Sequence, residues 1–415
     1  MNRRPRILHV ISGLQVGGAE HMLTRLLERV GGRFEHAVLC LTESSPLGER
    51  ITRRGIPVVS LQLRRDRPNL GGLVRGLRSV HGFRPDLIES WLYHSDLFAV
   101  VARALAPRAR LVWNLRCSDM DLDRYAWSTR LLPTLLSRLS RVPDTVIVNS
   151  EAGRRAHVDQ GYRPRRWALI PNGFDLGRLV ADRAARERVR GELGVGPEEM
   201  LIGLAARFDP MKDHETFCAA VALVDAGLPL RFVLVGRGTE PSNAALRSVI
   251  ERYGVAARIA CMGERLDLTD LFSALDAVTL SSAFGEGFPN VIGEAMAFQL
   301  PCVTTDVGDA AEIVGDTGIV VARRNPRQLS EAWLRLLWLG AAERAALGRR
   351  ARERIAAHYS LDGVVDRYET LYDELLRRPA AATRGGLPVV EPEAIERAPV
   401  ARSATDAAVR RHLDG

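Results

Sequence analysis

Short apolar runs alternate with amphipathic stretches along the chain, and the alternation is played through twice. The first series is RILHVIS, HAVLCL, IPVVSL, DLIESW, RLVWNL and TVIVNS, each followed by a segment with helical periodicity. A polar, arginine-rich interval from Asp182 to Pro197 interrupts it, and the rhythm restarts with LIGLAAR, RFVLVG, RIACMG, AVTLSS and CVTTDV. Continuous apolar strands spaced by helices predict parallel sheets covered on both faces. Two such blocks predict an α/β chain of two doubly wound, Rossmann-like domains, with a ligand in the cleft between them at the carboxyl ends of the strands. The rhythm puts the domains at residues 1–175 and 176–378, the stretch LDGVVDRYETLYDELLRR either closing the second or packing back on the first. Residues 379–415 are rich in Ala, Pro, Arg and Glu without apolar periodicity, which predicts a disordered tail.

Composition narrows the class. Apolar residues make up 46% and charged residues 26% of the 415 positions, the balance of a soluble globular protein. The five cysteines are scattered with no C-x-x-C pair, which suits a reducing compartment and predicts neither disulfides nor zinc. No run approaches the 18 or so apolar residues of a membrane span, and the expectation is a cytoplasmic protein. A net charge of +8 admits anionic partners. Nucleic acid fits poorly, because the arginines are dispersed and no aromatic-rich binding motif accompanies them.

Three stretches carry candidate chemistry. In ISGLQVGGAEHML, Gly17 and Gly18 stand between the first strand and the first helix, where a backbone can approach a phosphate at a helix N-terminus. The loop does not match G-x-G-x-x-G, which speaks against a nicotinamide or flavin cofactor. In AARFDPMKDHETF, Arg207 and Lys212 follow the first strand of the second block, and Lys212 is the one lysine among 58 basic residues. An arginine fork with a compact ammonium suits a diphosphate, although a solvated loop pair reads the same way. In SSAFGEGFPNVIGEAMA, Glu286 sits in a glycine-flanked loop and Pro289 at the expected first position of a helix. The amides of Gly287, Phe288, Asn290 and Val291 would then face a ligand, with Glu294 one turn further on.

With these in view, GGAE, IPNGFD, AARFDPMKD, VLVGRG, CMGERLD, EGFPNVIGEAMA and GDAAEIVGDTGIVV together resemble the successive motifs of retaining, GT-B-fold glycosyltransferases of family 4, over about residues 6–375. The stretches WLYHSDLFAVVARA and LVWNLRCSD are similar to a subgroup of surface-polysaccharide and O-antigen enzymes. The resemblance implies a metal-independent hexosyltransferase with a nucleotide-diphosphate sugar as donor and no cofactor. It implies Arg207 and Lys212 on the donor diphosphate, Gly17 and Gly18 on its phosphates, Glu286 on the transferred sugar and Glu294 on the ribose. Backbone at Arg265 and Leu266 would meet the base. The family usually has glycine where this chain has Gln299, which puts the packing behind the Glu294 helix in question.

The acceptor residues are harder to read. His94 after the fourth strand and Arg116 after the fifth should reach the cleft, with Asn149 and Ser150 after the sixth as weaker candidates. Asp119, Asp121 and Asp123 imitate the D-x-D metal site of the other large glycosyltransferase fold. They stand far in sequence from Arg207 and Lys212, which already supply cationic charge, so no metal is expected. Leu132, Leu135, Leu136 and Leu139 share a helical face with Arg138 and Arg141 nearby. They either face the core or, with Arg64, Arg65 and Arg67, lie against anionic lipid on the inner face of the cell membrane. The expected partners are thus a nucleotide sugar, a lipid-linked or other glycan acceptor, and such a membrane surface. An epimerase of the same fold and a non-catalytic nucleotide-sugar-binding subunit are the competing readings.

Overall fold

The computed structural model describes residues 3–15, 17–44, 46–63, 69–116, 127–265 and 267–377. They fold as two units, the chain passing from one to the other at 173/174 and back at 360/361. The first unit contains β1 (Arg6–Ile11), α1 (Gly18–Arg29), β2 (Glu35–Cys40), α2 (Pro46–Thr52), β3 (Val58–Ser60), α3 (Leu70–Phe83), β4 (Leu87–Trp91) and α4 (Tyr93–Leu105). It continues through β5 (Arg110–Leu115), α5 (Trp127–Leu139), β6 (Thr145–Val148), α6 (Glu151–Asp159) and β7 (Trp167–Leu169). Its seven strands are all parallel, in the order β3-β2-β1-β4-β5-β6-β7.

The second unit contains α7 (Arg183–Glu192), β8 (Met200–Ala205), α8 (His214–Leu223), β9 (Leu230–Val235), α9 (Ala244–Arg252), β10 (Ile259–Cys261), α10 (Leu268–Ala274) and β11 (Ala277–Leu280). It ends with α11 (Asn290–Ala297), β12 (Cys302–Thr305), α12 (Ala310–Val314), β13 (Gly318–Val321), α13 (Pro326–Trp338) and α14 (Gly340–Tyr359). Its parallel sheet has the order β10-β9-β8-β11-β12-β13. The two-domain α/β architecture expected from the apolar rhythm is the one observed. The rhythm missed β7 and β13, three- and four-residue strands at sheet edges that are largely half-buried.

One element changes block. The last helix, α15 (Leu361–Arg377), belongs to the first unit rather than closing the second. Its Leu361, Val364, Tyr368, Leu371 and Tyr372 share a core with Leu23 and Leu26 of α1 and with Ile7, Trp91 and Val112 of the sheet. Polar groups fix its register. Glu89, fully buried in β4, accepts from Tyr372 Oη at 2.6 Å and from Asn114 Nδ2 at 2.8 Å, and lies 3.1 Å from His9 Nδ1. Asn114 Nδ2 also lies 2.9 Å from Tyr368 Oη. Burial pushes the Tyr368 hydroxyl up to about 12 and that of Tyr372 well above its ordinary range, so both stay protonated. A buried polar network of this kind favours one docking of the helix where leucines alone would accept several. The strand-to-helix segment fits it: a Cβ on Gly173 would lie 2.9 Å from the Leu361 Cα.

Candidate functional site

In each sheet the strand order reverses at one place, between β1 and β4 in the first and between β8 and β11 in the second. Open α/β sheets bind ligands at the carboxyl ends of the strands beside such a reversal, where the following loops diverge. The strongest sequence candidates fall there. Lys212 follows β8, Glu286 follows β11, Gly17 and Gly18 follow β1, and His94 follows β4.

In the second unit, Lys212 closes a short 3₁₀ turn (Pro210–Lys212) that Asp209 caps by accepting from the Met211 amide at 2.9 Å. Asp213 then adopts a left-handed conformation (φ +49°) and caps α8, accepting from the Thr216 amide at 3.0 Å. This delivers the ammonium to Glu286: Lys212 Nζ lies 2.5 Å from Glu286 Oε1, both side chains nearly buried. Ser282 Oγ donates to the same oxygen at 2.6 Å, and Ser281 Oγ donates to the Lys212 carbonyl at 2.7 Å. Both donors meet Oε1, so among the described residues Oε2 keeps its hydrogen-bonding capacity for a ligand. Arg207 is half-exposed, its only carboxylate among the described residues being Asp209 at 3.6 Å.

The loop bearing Glu286 is held from behind. The Asp309 amide donates to the Gly287 carbonyl at 2.9 Å, and Gly308 passes so close (φ +63°) that a Cβ there would lie 2.3 Å from the Glu286 carbonyl oxygen. Phe288 is buried between Phe174 and Tyr359, with ring centroids 6.2 and 5.5 Å away. Pro289 is the residue before α11 rather than its first member, Asn290 and Val291 open the helix, and Glu294 sits half-buried in its second turn. Gln299 ends that helix at φ +61°, with the Leu300 amide returning to the Ala295 carbonyl at 3.0 Å. That left-handed position favours glycine, which explains the family's preference. Glutamine holds the turn here, so the doubt about local packing resolves in favour of an intact helix end. Arg265 is turned onto Asp267 (2.7 Å) and Glu192 (3.3 Å). Leu266 lies outside the described residues, as do Asp119, Asp121, Asp123, Arg64, Arg65 and Arg67.

His214 begins α8 behind Lys212, buried edge-on against Phe208 with ring centroids 5.2 Å apart. Burial, then the Lys212 charge, lowers its pKa to about 4. The ring is therefore folded neutral, and protonation favours the unfolded chain. Its contribution to stability is complete above the ordinary value of about 6.5 and is lost as pH falls toward 4, by about 1.4 kcal/mol per unit. Urea midpoints measured at pH 7 and 5 should fall more steeply for the natural chain than for His214→Asn.

In the first unit Gly17 caps α1 in an extended conformation, and a Cβ would lie 2.3 Å from Glu20 Oε2. Beside it, Ser12 Oγ and Ser95 Oγ are 3.0 Å apart. Leu92, before α4, holds φ +71° and ψ 161°, a region that is essentially glycine's and costs about 1–3 kcal/mol in any other residue. The strained residue turns the chain so that exposed His94 enters the first turn of α4. Nothing in the residue types around Leu92 signals this strain. Arg116 is committed elsewhere: its guanidinium donates to Asn172 Oδ1 and Tyr368 Oη and lies 5.0 Å over the Trp91 ring. Ser150 caps α6 by accepting from the Gly153 amide at 2.9 Å, and Asn149 is buried.

Comparison with known proteins follows the same division. A family model described as "Glycosyl transferases group 1" matches residues 199–338, and one described as "Glycosyl transferase 4-like domain" matches 17–173. The putative glycosyltransferase EpsF of Bacillus subtilis is 26% identical over 368 residues, covering 84% of this chain and 90% of that protein. The D-inositol 3-phosphate glycosyltransferase of Segniliparus rotundus is 30% identical over 253 residues, 59% of this chain and 53% of that one, so the match spans about half of that relative. Among solved structures, Anabaena Alr3699/HepE in complex with UDP and glucose superposes with a TM-score of 0.75 at 22% identity, over 89% of this chain and all of that one. Sucrose-phosphate synthase from Thermosynechococcus elongatus gives 0.71 at 20% identity, over 90% and 99%.

Proposed function

The chain belongs to the group 1 glycosyl transferases of family 4 and has their GT-B fold, and on that premise we propose that it moves a hexose, with retention of anomeric configuration, from a uridine diphosphate sugar to a hydroxyl of a lipid-linked glycan. The observation that carries this reading is the buried Lys212–Glu286 pair at the sheet reversal, with Glu286 Oε2 left open. Lys212 and Arg207 would meet the diphosphate, whose charge grows as the sugar leaves. A preorganised cation aimed at that charge lowers the barrier by about 3–4 kcal/mol. Glu286 Oε2 would accept from a sugar hydroxyl while Oε1 keeps Lys212 in place, and Glu294 would hold the ribose. The leaving diphosphate oxygen is the base that takes the acceptor proton, with His94 on the acceptor and Arg116, held by Asn172 and Tyr368, behind it. The choice of uridine is supported by the UDP and UDP-glucose complexes of Anabaena HepE, and a polysaccharide product by the similarity to EpsF.

A panel of UDP-, GDP- and ADP-sugars incubated with the protein and a bacterial membrane extract tests the reading. Release of UDP, dependent on the extract and accompanied by labelled lipid-extractable glycan, is expected. Release that does not depend on the extract, or that prefers GDP- or ADP-sugars, would refute it in that form. Because Arg207 and Lys212 supply the charge at the diphosphate, activity should survive EDTA in excess over the divalent ions present, on the principle that fixed cations replace a metal clamp. Activity lost to EDTA and restored by Mn²⁺ would return the role to the acidic triplet at Asp119, Asp121 and Asp123.

A further inference from the structure

Helix α3 is built inside out. Gly72, Gly76 and Val80 face the core, and α3 packs so closely that a Cβ on Gly72 would lie 2.4 Å from the Leu61 carbonyl oxygen. A Cβ on Gly76 would lie 2.6 Å from Leu61 Cδ1. Three of its larger apolar side chains point the other way, Leu70 being 75% exposed, Val74 44% and Leu73 37%, while Leu77 and Phe83 stay half-buried against the core. An ordinary surface helix has the reverse pattern, with leucine inward and polar groups outward. The feature extends to its neighbours. Helices α3, α4 and α5 line one face of the first sheet in that order. Of the ten large apolar side chains exposed among the described residues, seven fall on these helices or just after them, including Val101, Leu105 and Leu135. The leucine face of α5 itself turns inward at Leu132 and Leu136, as the core-facing alternative has it, and leaves Leu135 exposed.

The charge on this face has one sign. The single carboxylate in α3, α4 and α5 is Asp96, which is fully buried. Arg75 and Arg78 stand exposed among the outward leucines of α3, and Arg138 and Arg141 lie on and after α5. None of the four guanidinium groups has an ion-pair partner among the described residues, whereas Arg50, Arg110, Arg186 and Arg190 all do.

From this we infer that the α3–α4–α5 face docks on an anionic lipid bilayer. A bilayer takes both components at once: apolar side chains enter the boundary between head groups and acyl chains, and guanidinium groups meet lipid phosphates. A second copy of the chain would set arginine against arginine, and a nucleic acid would leave the leucines in water. The inference deepens the proposal of a lipid-linked acceptor. It is tested without donor or turnover, so either can fail while the other stands.

The full chain is sedimented with vesicles of phosphatidylglycerol and phosphatidylcholine, and with phosphatidylcholine alone. Binding to the first and not the second is expected, with release by roughly 0.5 M salt as screening sets in. Arg75→Glu combined with Arg78→Glu should lower partitioning at least ~10-fold. Leu70→Ser with Val74→Ser should lower it at unchanged charge, both pairs keeping the melting temperature. Equal recovery with neutral vesicles, or none with either, overturns the inference. A chain that is dimeric and becomes monomeric in Leu70→Ser/Val74→Ser, without binding vesicles, overturns it in favour of a second copy.

Discussion

Lys212→Arg is expected to lower kcat at least ~10-fold, about 1.4 kcal/mol of barrier, with the melting temperature unchanged. Every other basic position in the chain is arginine, so the substitution asks whether this one differs in kind. The geometry says that it does. The ammonium reaches Glu286 Oε1 at 2.5 Å from a nearly buried stem and shares that oxygen with Ser282 at 2.6 Å. A guanidinium is planar and wider, and cannot occupy the same point without displacing the serine. Charge would be kept while position is lost, so the loss should appear in kcat more than in KM. Lys212→Met removes the cation outright, and a fall of about 10²–10³ is expected, as for other single preorganised donors. Turnover unchanged in Lys212→Arg would return the lysine to chance survival.

Gly308→Ala should be nearly as damaging although residue 308 carries no functional group. The new Cβ would lie 2.3 Å from the Glu286 carbonyl oxygen and 2.7 Å from that of Gly287, at a backbone angle already unfavourable to alanine. The Glu286 loop has to move, and a displacement near 1 Å costs about 10² in rate where groups act by position. Stability should drop by about 1–3 kcal/mol from the overpacking. Gly340→Ala separates the two effects. Gly340 also has positive φ (+75°), but its Cβ would meet nothing within 4 Å. It should lose about 1 kcal/mol of stability and no activity. If Gly308→Ala loses only what Gly340→Ala loses, the loop is not held as described.

Much of this was legible in the chain because parallel strands buried on both faces leave uninterrupted apolar runs. Those runs located eleven strands, and the loops after β8 and β11 then named Lys212 and Glu286. The edge strands Trp167–Leu169 and Gly318–Val321 escaped although each is an apolar run, because runs of three and four residues stand out little from the loops around them. The return of α15 to the first unit was legible only as an alternative. Its partners Glu89, Asn114 and His9 are polar residues inside apolar strands, and nothing in their spacing says which helix carries the matching hydroxyls. Leu92 looked like any strand-end leucine. Strain at one residue depends on φ and ψ, which composition does not encode. Gln299 was the converse case: the chain showed a departure from glycine, and the backbone at φ +61° gives the physical reason that glycine is preferred there.

The placement of α15 has a consequence for how the protein is made. The first unit lacks a large part of its core until Leu361, Val364, Tyr368 and Tyr372 leave the ribosome, after the entire second unit has been synthesised. At about 5–20 residues per second, on the order of 10–40 s separate the last strand of the first unit from the helix that completes it. During that interval Glu89 has no tyrosine to meet and the face of α1 that α15 covers is bare. The second unit, continuous in sequence among the described residues, has its core complete by residue 360 and can fold first. The order of folding is then the reverse of the order of synthesis, and a nascent chain stalled before residue 361 would be the species that chaperones hold.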